Sequence, residues 1–151
     1  MTAMPKPATT VQEASIMSKT ISSDTDKQTP PVACTVPRIA LVTGGTGAIG
    51  SAICVSLARA GHTVATTYRN EEKAKAWQAA MAKEGFTFHL YKCDAADFDS
   101  TQRAVKAIVA DLGPIQILVN NAGMTRDSTL RKMSVDQWRD VISNNLDSVF
   151  N

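Results

Sequence analysis

The chain has 151 residues, a formal net charge of +2 and 44% hydrophobic residues, which suits one globular domain with a workable core. Its 16 Lys and Arg are scattered among 14 Asp and Glu without a basic block or an aromatic ladder, which speaks against nucleic acid as a partner. No apolar run approaches the roughly 20 residues of a membrane span, His62 and His89 are too isolated for a metal site, and Cys34, Cys54 and Cys93 lack C-x-x-C spacing and read as reduced thiols of a cytoplasmic protein.

Residues 1–37 are rich in Thr, Ser, Pro and Lys and show no sustained periodicity, so they read as a disordered N-terminal extension. They hold no hydrophobic stretch of a secretory signal, and Glu13, Asp24 and Asp26 argue against a transit peptide. From Arg38 onward the pattern alternates. A strand over 38–43 precedes a helix over 48–60, with Ile49, Ile53 and Leu57 on one face and Gly61 closing it. The β-branched run 63–68 predicts a second strand. A helix over 70–84 follows, with Ala74, Trp77, Ala80 and Met81 at core spacing and Gly85 at its end. Phe86 to Lys92 reads as a third strand, and Asp97 or Asp99 caps a helix to about Leu112, with Val105, Ile108 and Val109 facing inward. Gly113-Pro114 marks a turn before a fourth buried strand over 115–119, and Ser134 caps a last helix, with Asp136 in its first turn, running to residue 151.

Four strands alternating with four helices predict an α/β fold, a Rossmann-type doubly wound parallel sheet with helices on both faces. Right-handed crossovers place the binding crevice at the C-terminal strand ends, beside the switch in strand order. The stretches that stand out chemically fall there. After the apolar run Ile39–Val42 come four glycines within seven residues, Gly44, Gly45, Gly47 and Gly50. Glycines let a strand turn tightly into a helix and leave no side chain between backbone and ligand. The helix start offers unpaired N–H groups and a positive dipole end, a seat for a dinucleotide pyrophosphate. Two registers fit: Gly45-Thr46-Gly47-Ala48-Ile49-Gly50 as G-x-G-x-x-G, and Thr43 to Gly50 as T-G-x-x-x-[AG]-x-G. After the fourth strand, Asn120-Asn121-Ala122-Gly123 combines small residues with amides, so its backbone can approach a flat ligand while Asn donates and accepts.

Thr43–Gly50, Asp94, Asn120–Gly123 and Asn145-Leu146 together resemble the short-chain dehydrogenase/reductase family, over residues 38–151. The resemblance covers about the first half of a typical member, so 38–151 is expected to be the N-terminal part of an NADP-binding Rossmann domain, truncated. It implies that Gly44, Gly47 and Gly50 frame the pyrophosphate with Thr46 and Ile49 also binding the cofactor, that Asp94 bonds the adenine, and that Asn121, Ala122 and Gly123 lie along the adenosine ribose. It gives Asn145 the place of the Asn that supports a water in the catalytic proton relay. Ala48 stands where many members have Gly, and its methyl leaves less clearance.

An acid ending the second strand would bond the 2′-hydroxyl of NAD and repel a 2′-phosphate. Here that position is Tyr68, and Arg69 follows it. A guanidinium fork matches phosphate, so the cofactor is expected to be NADP(H), with help from Thr46 or Asn70. The run Met124 to Trp138 looks like the acetoacetyl-CoA reductases of polyhydroxybutyrate synthesis and nearly as much like 3-oxoacyl-ACP reductases. That implies NADPH-dependent reduction of a 3-oxoacyl thioester, acetoacetyl-CoA first, by a homotetramer, with Asp127 near the acyl pocket. Arg131 and Lys132 could attract CoA phosphates or an acidic carrier by charge. Another short-chain dehydrogenase and a non-catalytic dinucleotide-binding module are the alternatives. Neither Tyr68 nor Tyr91 has Lys four positions on. The family's catalytic Ser and Tyr-x-x-x-Lys pair are therefore absent from these residues, and the chain is expected to be a fragment that is inactive alone.

Overall fold

The computed structural model describes residues 36–151, so only Val36 and Pro37 of the expected extension fall within it. The elements run β1 (Ile39–Val42), α1 (Ala48–Arg59), β2 (Thr63–Tyr68), α2 (Glu71–Lys83), β3 (His89–Lys92), α3 (Phe98–Leu112), β4 (Ile117–Val119) and α4 (Val135–Ile142). A π-helical turn over Ser143–Asp147 and a short α5 (Ser148–Phe150) continue α4 to the end.

The strands form one parallel sheet in the order β3-β2-β1-β4. The chain steps outward from β1 to β2 and β3, then crosses back to place β4 on the other flank of β1. The crossovers therefore diverge at β1 and β4, and a crevice opens beyond their C-terminal ends. β4 pairs with β1 alone.

Apolar residues of β1 and β2 are buried on both faces because successive side chains point to opposite sides. Val42 and Val64 meet Cys54 and Phe88 on one face, where Ile53, Leu57, Trp77 and Met81 from α1 and α2 close the cluster. Leu41 and Ala65 meet Ile108 on the other, with Val105, Leu112 and Ile115. Phe88 stacks on Trp77 with ring centroids 5.0 Å apart.

Three strands are shorter than the residue pattern predicts, β1 by one residue at each end and β3 and β4 at their starts. Ahead of β3, Phe86 donates its N–H to the Met81 carbonyl at the end of α2, and the Phe88 carbonyl accepts from Gln78 Nε2. Those backbone groups serve α2 instead of the ladder. Ahead of β4, Gln116 N–H bonds the Ile39 carbonyl while its side-chain oxygen accepts from Ile39 N–H, so regular pairing begins at Ile117.

The fourth strand, expected to be buried, is a sheet edge on which Leu118 is exposed. Three expected helix core positions are exposed as well. Ile49 is 74% exposed because it lies in the first turn of α1, beyond the sheet edge and over the crevice. The buried face of α3 centres on Ala104 and Ile108, and Val109, turned about 100° further round the helix, reaches solvent. Ala80 lies off the Ala74–Trp77–Met81 stripe and is likewise exposed. The caps follow the residue chemistry: Asn70, Asp97 and Ser134 each accept an N–H of the first turn, and Ser134 forms a reciprocal capping box with Gln137.

Burial pushes the Cys54 thiol up from 9.0 to about 11, against a smaller opposing pull from its hydrogen bond with Thr66. In the unfolded chain that thiol ionises near its ordinary value, so its contribution to stability is complete below pH 9 and is lost as pH rises toward 11. Denaturant titrations across that window are expected to show a steeper alkaline loss for the unchanged protein than for Cys54→Ala. Parallel curves would refute the assignment.

Candidate functional site

The glycine turn is held from two sides by threonine hydroxyls. Thr43 Oγ1 accepts the backbone N–H groups of Asn121 and Ala122, both at 3.0 Å. In return, Asn121 Nδ2 donates to the carbonyls of Thr43 (2.9 Å) and Gly44 (3.2 Å). From β2, Thr67 Oγ1 accepts from Gly44 N–H at 3.1 Å. Thr66 Oγ1 accepts from Gly45 N–H and donates to the Val42 carbonyl, each at 2.8 Å. The end of β1 is thus stitched both to its neighbour β2 and to the loop after β4.

This stitching explains the glycines unequally. A Cβ on Gly45 would sit 2.2 Å from Thr66 Oγ1 and 2.7 Å from Cys54 Sγ. On Gly50 it would sit 2.6 Å from the Gly44 carbonyl oxygen. Gly44 has φ +65°, in the left-handed region. Gly47 is different: φ is −80° and the nearest atom to an added Cβ is 3.5 Å away. The fold therefore tolerates a side chain at Gly47, and the open space there belongs to whatever lies over α1.

That space is a cleft of about 460 Å³ at the strand ends. It brings together all ten residues expected around the cofactor: Gly44, Thr46, Gly47, Ile49 and Gly50 from the turn, Arg69 and Asp94 from the ends of β2 and β3, and Asn121, Ala122 and Gly123 after β4. α1 begins at its rim with Gly47 as N-cap, no side chain capping it and no acid in its first turn. α2, α3 and α4 each have both. The N–H groups of α1 are left for an external anion.

The charges at the end of the cleft beside β2 and β3 are mixed. Asp94 Oδ1 accepts from Ala96 N–H at 3.2 Å, and Asp94 N–H donates to Ser100 Oγ at 3.0 Å, which fixes the carboxylate at the cleft edge. Arg69 and Lys73 also line the cleft, and neither forms an ion pair among the described residues. Lys73 stands in the first turn of α2, where the helix dipole disfavours a cation that has no anion facing it.

Two expected residues lie outside the cleft lining. Asn145 sits in the π-helical turn and uses its whole amide on one neighbour. Oδ1 accepts from Met124 N–H (2.8 Å) and Nδ2 donates to the Met124 carbonyl (2.9 Å). Asp127 is exposed in the loop before α4, beside an Arg126–Asp140 ion pair of 3.2 Å that ties this loop to the helix. Sequence reasoning missed Thr66, Thr67, Lys73 and Asn144. The threonine pair carried a signal, since two buried hydroxyls in an apolar strand must find partners. Asn144 carried none.

A parallel sheet with its crossover switch at β1 and β4, an uncapped helix start and a glycine turn free of side chains define a Rossmann-type dinucleotide-binding domain. The family model described as short chain dehydrogenase matches residues 38–151, and the chain belongs to that family. It is 49% identical over 116 residues to an acetoacetyl-CoA reductase of Allochromatium vinosum, covering 76% of this chain and 47% of that protein. It is 40% identical over 115 residues to a 3-oxoacyl-[acyl-carrier-protein] reductase of Staphylococcus aureus, again covering 76% of this chain and 47% of that protein. Among solved structures, an actinorhodin polyketide ketoreductase variant with NADPH matches at a TM-score of 0.72 and 32% identity, over 76% of this chain and 44% of that one. The chain spans about half the length of the curated relatives it matches. Among the described residues, no helix is long and apolar enough to cross a membrane.

The contrast between the glycines is testable. Gly45→Ala is expected to lose about 1–3 kcal/mol of stability through overpacking. Gly47→Ala is expected to keep its stability and weaken dinucleotide binding. Denaturant melts alongside calorimetric titration with NADPH would check both.

Proposed function

We propose that the complete protein carrying this domain is an oxidoreductase that uses NADPH to reduce a 3-oxoacyl thioester, acetoacetyl-CoA to 3-hydroxybutyryl-CoA first. The observation that carries the reading is the similarity to acetoacetyl-CoA reductases, 49% and 46% identical in two cases. A second reading, reduction of a 3-oxoacyl carrier-protein thioester, is favoured by the 40% identity to such an enzyme.

The dinucleotide supplies a hydride to the substrate carbonyl carbon. This chain's own contribution is to hold and orient it. The free N–H groups at the start of α1 fit the charge of a diphosphate. The ledge Asn121–Gly123 is fixed by Thr43 and fits a nucleoside alongside. Arg69 supports NADPH over NADH, because its guanidinium directly follows the strand-end position, here Tyr68, where an acid would repel a 2′-phosphate. Asn145, clamped on Met124, holds the loop after β4 at the cleft mouth. Asp127, Arg131 and Lys132 are exposed on the segment beyond it, where their charges could meet the thioester's carrier. The buried free thiols Cys54 and Cys93 fit a cytoplasmic location. Exposed Trp138, Leu146, Val149 and Phe150 supply apolar surface that a homotetramer could cover.

Two measurements test the proposal. In the complete protein, NADPH oxidation is expected with acetoacetyl-CoA and to be slower with the carrier-protein thioester. The reverse order favours the second reading, and no oxidation with either overturns both. Arg69→Ala is expected to weaken NADPH binding more than NADH binding by about 1–3 kcal/mol, the scale of a charged hydrogen bond. Equal losses would remove the assignment of Arg69.

A further inference from the structure

Arg69 does not project freely over the cleft. Its Nη1 donates to Asn144 Oδ1 at 3.2 Å, a contact between residues 75 positions apart, from the end of β2 to the π-helical turn. Both side chains line the cleft. Asn144 is itself held: its Nδ2 donates to the Asp140 carbonyl at 2.9 Å, which leaves the amide oxygen facing Arg69. Its own carbonyl accepts from Ser148 Oγ at 2.8 Å. The acceptor therefore sits on a fixed frame, while the arginine brings a long side chain with several rotatable bonds.

We infer that Asn144 is a positioning residue for dinucleotide choice, holding the Arg69 guanidinium at the adenosine end of the cleft so that its remaining N–H groups face a 2′-phosphate. The inference rests on the NADPH reading above. A guanidinium has five N–H donors, and Asn144 occupies one, leaving four for an anion. Ordering the fork in advance removes an entropic cost that binding would otherwise carry. The partner's chemistry matters as much as its position. A carboxylate at residue 144 would grip Arg69 more firmly, but it would neutralise the guanidinium and add a negative charge beside the phosphate. An amide orients the cation and leaves its charge available.

Both asparagines lie in the π-helical turn. Adjacent residues on a helix point about 100° apart, and here Asn144 reaches Arg69 while Asn145 reaches Met124. One short irregular segment thus anchors two walls of the cleft. Irregular turns of this kind are frequent at functional sites.

The test is calorimetric titration of the full-length protein with NADPH and NADH, reading the ratio of the two dissociation constants. Asn144→Ala is expected to lower the preference for NADPH about threefold to tenfold, the scale of one hydrogen bond, with NADH affinity retained as evidence of an intact cleft. Asn144→Asp is expected to lower it further. In an Arg69→Ala background, Asn144→Ala is expected to leave the ratio unchanged, because the residue acts through the arginine. An unchanged ratio in the single variant, an equal loss for both nucleotides, or the same fall without Arg69 would each overturn the inference while leaving the NADPH reading in place. If the unchanged protein shows no preference for NADPH, that reading fails, and the inference falls with it.

Discussion

The structure depends on the exchange of hydrogen bonds between Thr43 and Asn121. A hydroxyl at the end of the central strand accepts two backbone N–H groups from the loop after β4, and that loop's amide returns two bonds to the carbonyls of the turn. Each bond contributes only about 0.5–1.5 kcal/mol net, yet leaving such groups unpaired in a partly buried site would cost about 1–3 kcal/mol apiece. The exchange therefore has a strong preference for one geometry. It brings two segments 78 residues apart to opposite sides of one cleft, with the start of α1 at its rim.

Within that frame, the local rules of helix design are kept where they serve stability and broken where they face the cleft. α2, α3 and α4 are capped and begin with acids, whereas α1 is uncapped and begins with glycine, alanine and isoleucine. Lys73 opposes the dipole of its own helix, and Ile49 is an apolar side chain in the open. Departures from local optima that gather around one cavity are the mark of a site shaped for a ligand. The balance of charge there, two cations without ion-pair partners against Asp94, suits a polyanionic nucleotide.

The closing helix is the least regular element, and it reaches the cleft through Asn144. Its π-helical turn sends two adjacent asparagines in different directions, one to the arginine after β2 and one to the backbone after β4. Farther along, Asn151 Nδ2 donates to the Ala95 carbonyl at 3.0 Å, tying the same helix to the loop after β3. Three of the four strand ends are thus referred to one segment. The same helix also carries the exposed Trp138, Leu146, Val149 and Phe150.

Much of this was legible in the residue string, because the relevant signals are local. Apolar runs broken by glycine, helical spacing of Ile53, Leu57, Trp77 and Met81, and capping residues such as Asp97 and Ser134 depend on neighbours a few positions away. They determined the strand and helix alternation and the place of the glycine turn. Tertiary structure alone decided which helix positions face solvent, as Ile49, Ala80 and Val109 show, because burial depends on where a helix lies relative to the sheet edge. It alone decided that Gly45 and Gly50 answer to packing while Gly47 answers to open space, and that Asn144 meets Arg69. Those facts arise from pairs of residues brought together by the crossover connections, and no spacing along the chain encodes a distance across a cleft.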